Sequence, residues 1–137
     1  MKKQIKLYNI LFRNNKSNYL KHKEEASKLI SERIDYYNNI YQFDFNRISI
    51  RNQRTRWGSC SSKKNLNFNY RLLFLSKRIS DYIIVHELCH LKELNHSRKF
   101  WNLVAEVIPD YLDIRRDLRN KRFRLSRRSI GLGDNHT

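Results

Sequence analysis

Five residues, His86-Glu87-Leu88-Cys89-His90, constrain this chain more than any other stretch. Each residue of an α-helix is turned about 100° from the last, so residues four apart lie nearly in line on one face. His86 and His90 therefore project side by side and can hold one ion between them. Glu87 falls on the flank of that face, within reach of a water beside the ion but poorly placed as a further ligand. In the H-E-x-x-H pattern two neutral imidazoles bind Zn²⁺ and the glutamate acts as general base. A catalytic zinc takes three protein ligands and keeps a fourth position open. The chain must therefore leave the helix and turn back soon after His90, and His96 is the candidate third ligand. Leu94-Asn95-His96-Ser97 suits such a bend. Asn tolerates the left-handed conformation that ends helices, and Ser97 or His96 can start the next one. The offset from His86 to His96 is the metzincin one, with Glu93 where that pattern carries glycine. Asp110 stands where gluzincin-type sites place a carboxylate and is a reserve ligand.

The rest of the chain reads as a frame for that helix. From Ser17 to about Tyr41, Leu20, Leu29, Ile30, Ile34, Tyr37 and Tyr41 recur at mostly helical steps between charged residues. His22, in the lysine-rich start of this helix, reads as a solvated residue. A short strand is expected around Ile5–Phe12. Arg47–Arg51 alternates as a strand, with Ile48 and Ile50 on one face. Residues 54–60 read as a second extended segment, broken or bulged at Gly58. After a polar turn, Asn65–Tyr70 alternates again, with Leu66, Phe68 and Tyr70 on one face and three asparagines on the other. Asparagine is a poor strand former. The row is either a polar outer face or a sheet edge beside the cleft, where an extended substrate pairs by β-augmentation.

Ser76 or Ser80 is the expected N-cap of the histidine helix, whose apolar side is Ile79, Ile83, Ile84, Leu88 and Leu91. Phe100, Trp101, Val104 and Ile108 carry a further helix to Pro109, with Phe100 and Trp101 as core anchors first and site residues second. Pro109 can open a last helix with Tyr111, Leu112, Ile114 and Leu118 inward and Arg115, Arg116 and Arg119 exposed. A single domain over 1–125 and a tail over 126–137 follow, with His136 in the tail no ligand.

The composition fits one folded domain. Hydrophobic residues make up 39%, with eight Tyr and seven Phe, which is too apolar for a disordered chain despite 31% charge. No apolar run is long enough to span a membrane, and no secretory signal follows the basic start. Two cysteines do not make a disulfide framework, which favours a reducing, cytoplasmic setting. The net charge of +16 attracts polyanions and leaves nucleic acid or the ribosome as possible partners, though no recognised nucleic-acid motif accompanies it. No feature specifies an oligomeric state.

Arg56-Trp57-Gly58-Ser59-Cys60-Ser61, the Asn67/Asn69 strand, Asp81 through Leu91, and Asn95-His96-Ser97-x-x-Phe100-Trp101 together resemble the YgjP-like metallopeptidase family, related to SprT-like zincins. The resemblance spans roughly residues 17–120. It implies an α+β minimal zincin fold: an N-terminal helix, a small three-stranded sheet, the zinc helix and one or two C-terminal packing helices. It also implies His86, His90 and His96 as zinc ligands and Glu87 as the catalytic acid/base. Some SprT-like relatives are DNA-associated, but their separate zinc-ribbon cysteines are absent here.

The expected reaction is hydrolysis of a peptide bond in a peptide or protein substrate. Zinc lowers the pKa of a water to about 7 and Glu87 removes its proton. Tyr70, Arg71, Tyr82 and Tyr111 are candidates to steady the oxyanion. Cys89 reads as a core thiol, and Cys60 as a structural or mildly reactive one. Two alternatives use the same residues: a zinc phosphohydrolase acting on nucleotides, and a nucleic-acid- or ribosome-associated module with structural zinc.

Overall fold

The structure is a computed structural model that describes residues 16–120. The expected strand at Ile5–Phe12, the tail at 126–137, the domain limit at 125 and His136 lie outside the described residues.

Helix α1 (Lys16–Tyr41) buries one stripe, Ala26, Ile30, Ile34 and Tyr37, at steps of three or four residues. Leu20, expected in that stripe, is 61% exposed because it lies off the packed face, which Tyr19 and His22 continue toward the helix start. The helix ends at Gln42, which takes a left-handed φ of 58° and donates from its backbone N to Asn38 O at 2.7 Å. The Asn38 side chain brackets the exit, accepting from Phe43 N and donating to Phe43 O, both at 2.9 Å.

Three strands follow: β1 (Arg47–Arg51), β2 (Gly58–Cys60) and β3 (Asn65–Asn69), in the order β1-β3-β2. β1 runs parallel to β3, aligning Ile48 with Leu66 and Ile50 with Phe68. β2 runs antiparallel to β3, aligning Gly58 with Phe68 and Cys60 with Leu66. Leu66 and Phe68 are fully buried, as the alternation predicts.

The row of asparagines does not mark an edge. β3 is the central strand, bonded on both sides, so it has no free edge for a substrate. Its asparagines face sideways partners instead. Asn65 Oδ1 accepts from Asn46 at 2.8 Å and Asn67 Oδ1 from Arg51 at 3.3 Å. Asn69 ends the strand and caps a 3₁₀ turn (Tyr70–Phe74), accepting from Arg71 N at 3.0 Å, so Tyr70 belongs to the turn. The expected segment at 54–60 is a strand only over 58–60, and Gly58 pairs in regular register without a bulge.

Helix α2 (Lys77–His90) is capped by Ser76, whose side chain accepts from Ile79 N. Ser80 lies inside the helix and donates to Lys77 O at 3.2 Å. Every residue from Ile79 to His90 is buried, wider than the single apolar face expected, because α1, β2 and two later helices all pack against α2. Asp81 anchors it to α1. Arg33 donates to both Asp81 carboxylate oxygens at 2.9 Å, and Tyr37 Oη donates to one of them at 2.8 Å.

The bend after His90 is not made by a left-handed asparagine. Among the described non-glycine residues only Gln42 and Lys64 have positive φ, and Leu91 ends α2 in the right-handed region. Ser97 then caps α3 (Arg98–Val107), which buries Phe100 and Val104. After Pro109, α4 (Tyr111–Arg119) buries Ile114 and Leu118 and leaves Leu112 exposed. Arg78 on α2 pairs with Asp117 at 3.0 Å and with Asp110 at 3.4 Å. The result is the expected α+β arrangement of helix, three-stranded sheet, central histidine helix and packing helices. No described helix is long and apolar enough to cross a membrane.

Candidate metal centre

The helical period sets His86 beside His90 on α2, and the bend before α3 returns His96 to them. Their Nε2 atoms form a near-equilateral triangle: 3.2 Å from His86 to His90, 3.0 Å from His90 to His96, and 3.2 Å from His96 to His86. A tetrahedral ion with metal–nitrogen bonds of about 2.0–2.1 Å holds its nitrogens about 3.3–3.4 Å apart. The triangle is only slightly tighter, so the three nitrogens could hold one ion.

The other ring nitrogens show which protons are where. His90 Nδ1 lies 2.9 Å from Glu93 O. A carbonyl only accepts, so this nitrogen carries the hydrogen and a neutral His90 presents a bare lone pair from Nε2. His86 Nδ1 lies 3.3 Å from Tyr82 Oη, one helical turn earlier. Burial, then the neighbouring His90, His96 and Arg115, push the His86 imidazolium well below its ordinary pKa, so this ring is neutral too.

Aromatic side chains wall the triangle. Phe100 stacks on His90 with centroids 4.4 Å apart, and stands edge-on to His86 and His96. Trp101 stacks on His96 at 5.6 Å, and Tyr111 stacks on Trp101 at 4.9 Å. Phe100 and Trp101 are therefore both core and site. Arg115, expected on the exposed side of α4, is half-buried, with its Cζ 4.4 Å from the Trp101 ring centroid. The indole face draws the guanidinium inward by a cation–π contact that helical periodicity does not encode.

Glu87 is buried and lies against the first residue of β2. A methyl group at Gly58 would sit 3.1 Å from Glu87 Cγ and 3.3 Å from its Oε2. Cys60, on the same strand, is also close enough to respond. Burial first, and then the Glu87 charge, push its thiol up to about 12.

The remaining candidates have partners of their own. Asp110 is exposed and pairs with Arg78, outside the histidine cluster. Arg71 is buried and donates to Gln53 O at 3.0 Å and Asn69 Oδ1 at 3.2 Å, holding the chain that leads into β2. Tyr70 packs edge-on against Tyr19 and Phe74. Tyr111 belongs to the Trp101 stack and Tyr82 to His86. His22 meets the edge of Phe74 at 4.9 Å. Cys89 is a buried core thiol, pushed up to about 12 chiefly by burial.

The profile of the YgjP-like family, described as a metallopeptidase domain, matches residues 13–121. The chain belongs to the YgjP-like metallopeptidase family. Among solved structures, this YgjP-like domain is similar to the metallopeptidase zymogen of Pyrococcus abyssi abylysin. The TM-score is 0.58 at 23% identity, over 65% of this chain and 90% of that one. That likeness shows the α+β fold. No curated protein aligns significantly with the chain.

Proposed function

We propose that this YgjP-like domain is a zinc-dependent peptidase in which His86, His90 and His96 hold the metal and Glu87 is the general base. The observation that carries this reading is the convergence of three Nε2 atoms within 3.2 Å of one another, two from the buried helix α2 and one from the bend before α3. Three imidazoles at tetrahedral spacing suit Zn²⁺ better than oxygen-seeking ions such as Mg²⁺ or Ca²⁺. Zinc bound there supplies a Lewis acid for the scissile carbonyl. Glu87, next in sequence to His86, takes one proton from the attacking water and passes it to the leaving nitrogen. One water is consumed, the C–N bond breaks, and a carboxylic acid and an amine result.

The sheet suggests where the substrate lies. Among the described residues β2 is bonded to β3 on one side only, and its first residue lies against Glu87. An extended peptide pairing with the other side of β2 therefore runs past the carboxylate, so β2 takes over the edge role first considered for β3.

The test combines metal analysis with cleavage of an unfolded protein substrate and of nucleoside triphosphates by wild type and Glu87→Gln. The expected result is one zinc per chain in both proteins, peptide cleavage by wild type, and a loss of about 10²–10⁴ in the variant. Phosphate release without peptide cleavage selects the phosphohydrolase. Nucleic-acid binding without any turnover selects a module with structural zinc.

A further inference from the structure

Gly58 is a glycine without a conformational reason to be one. Its φ lies outside the left-handed range, and it pairs in ordinary register with Phe68. A larger residue there meets no backbone objection of its own. What it lacks is room. The missing Cβ would come within 3.1 Å of Glu87 Cγ, 3.2 Å of Asn67 O and 3.3 Å of Glu87 Oε2. Asn67 O belongs to the central strand of the sheet and has little freedom to retreat. Two of the three atoms in the way belong to the Glu87 side chain, which can turn about its torsions as a strand carbonyl cannot, so a methyl group at position 58 displaces the carboxylate before it displaces the sheet.

We infer that Gly58 is a positioning residue for Glu87: its bare Cα sets how closely α2 and β2 approach, and so where the carboxylate sits. The inference rests on the reading of Glu87 as general base. Catalytic groups tolerate little error, and a displacement near 1 Å costs about 10²-fold in rate. The glycine is thus needed by a side chain from another element rather than by its own strand.

The test is a double-mutant cycle between Gly58→Ala and Glu87→Gln on the full chain, read by kcat, zinc affinity from chelator competition, and thermal unfolding. Gly58→Ala is expected to lower kcat about 10–100-fold with zinc affinity unchanged. In the Glu87→Gln background the same substitution is expected to lower the residual rate no further. An unchanged kcat in Gly58→Ala, lost zinc binding, or an equal further loss in the Gln background overturns the proposal.

A second cycle reads packing without activity. If Gly58→Ala lowers the unfolding temperature or fails to fold, adding Glu87→Ala is expected to restore it, because the crowded atoms are gone. No restoration places the clash at Asn67 O and overturns the inference. Full cleavage by Glu87→Gln alone would defeat the general-base reading, while this second cycle would still report whether residues 58 and 87 press on each other.

Discussion

Tyr82 Oη lies 3.3 Å from Nδ1 of His86, one turn up the same helix, and both side chains are completely buried. When His86 Nε2 faces an ion, Nδ1 must carry the hydrogen, and the phenol oxygen accepts it. Burial above all raises the Tyr82 pKa, so the hydroxyl stays neutral. In the proposed zinc site a phenol would do what a carboxylate or carbonyl commonly does for a metal-binding histidine: fix the tautomer and the ring. Tyr82→Phe keeps the ring's packing and removes only the oxygen. Zinc affinity is expected to fall about 10–100-fold in chelator competition, with the fold retained in circular dichroism. An unchanged affinity would show that the helix alone orients His86.

His96 lies outside α2, and the Ser97 cap starts α3 without it. His96→Ala is therefore expected to leave the helices intact and bring bound zinc well below one per chain, because two imidazoles on one helix do not complete a site. Elemental analysis after dialysis measures this. Full retention of metal would return attention to another ligand.

The Arg33–Asp81 pair is bidentate and largely buried, with side-chain exposures of 21% and 7%. Arg33→Ala leaves the carboxylate buried with Tyr37 and the more distant Lys77, 3.8 Å away. The expected loss is about 3 kcal/mol, the low end for breaking such a pair. Urea denaturation gives the value, and a loss under about 1 kcal/mol would mean that Tyr37 and water suffice.

Gln42 carries a left-handed φ of 58° at the exit of α1. A side chain there costs about 1 kcal/mol relative to glycine. Gln42→Gly is expected to stabilise the fold by less than that amount, because the unfolded chain gains freedom at the same time. A rise in unfolding temperature without a change in zinc affinity checks it.

Sequence period revealed what is local. His86 and His90 were legible because one helical turn aligns them, and His96 because a third ligand requires the chain to return. The strands at Arg47–Arg51 and Asn65–Asn69 were legible from alternation, and the family resemblance supplied the α+β arrangement. What stayed hidden depends on partners distant in sequence. Strand order put β3 in the centre, and no property of an asparagine row states that. The segment at 54–60 is interrupted before Gly58, as its glycine suggested, but nothing in the sequence showed how closely Glu87 approaches that residue. Arg115 read as solvated because helical spacing ignores the attraction of the Trp101 face. Tyr82 was legible only as one oxyanion candidate among Tyr70, Arg71 and Tyr111, and its contact with His86 was not read from the sequence.

The clasp of Asp81 by Arg33 and Tyr37 closes a loop of 48 residues. Contacts of such separation form late compared with the turns of a single helix. As the polypeptide emerges during translation, α1 is exposed first and can wait as a preformed bed for α2. The histidine helix is thus bedded on a part of the chain made well before it, while the bend that returns His96 follows it in sequence.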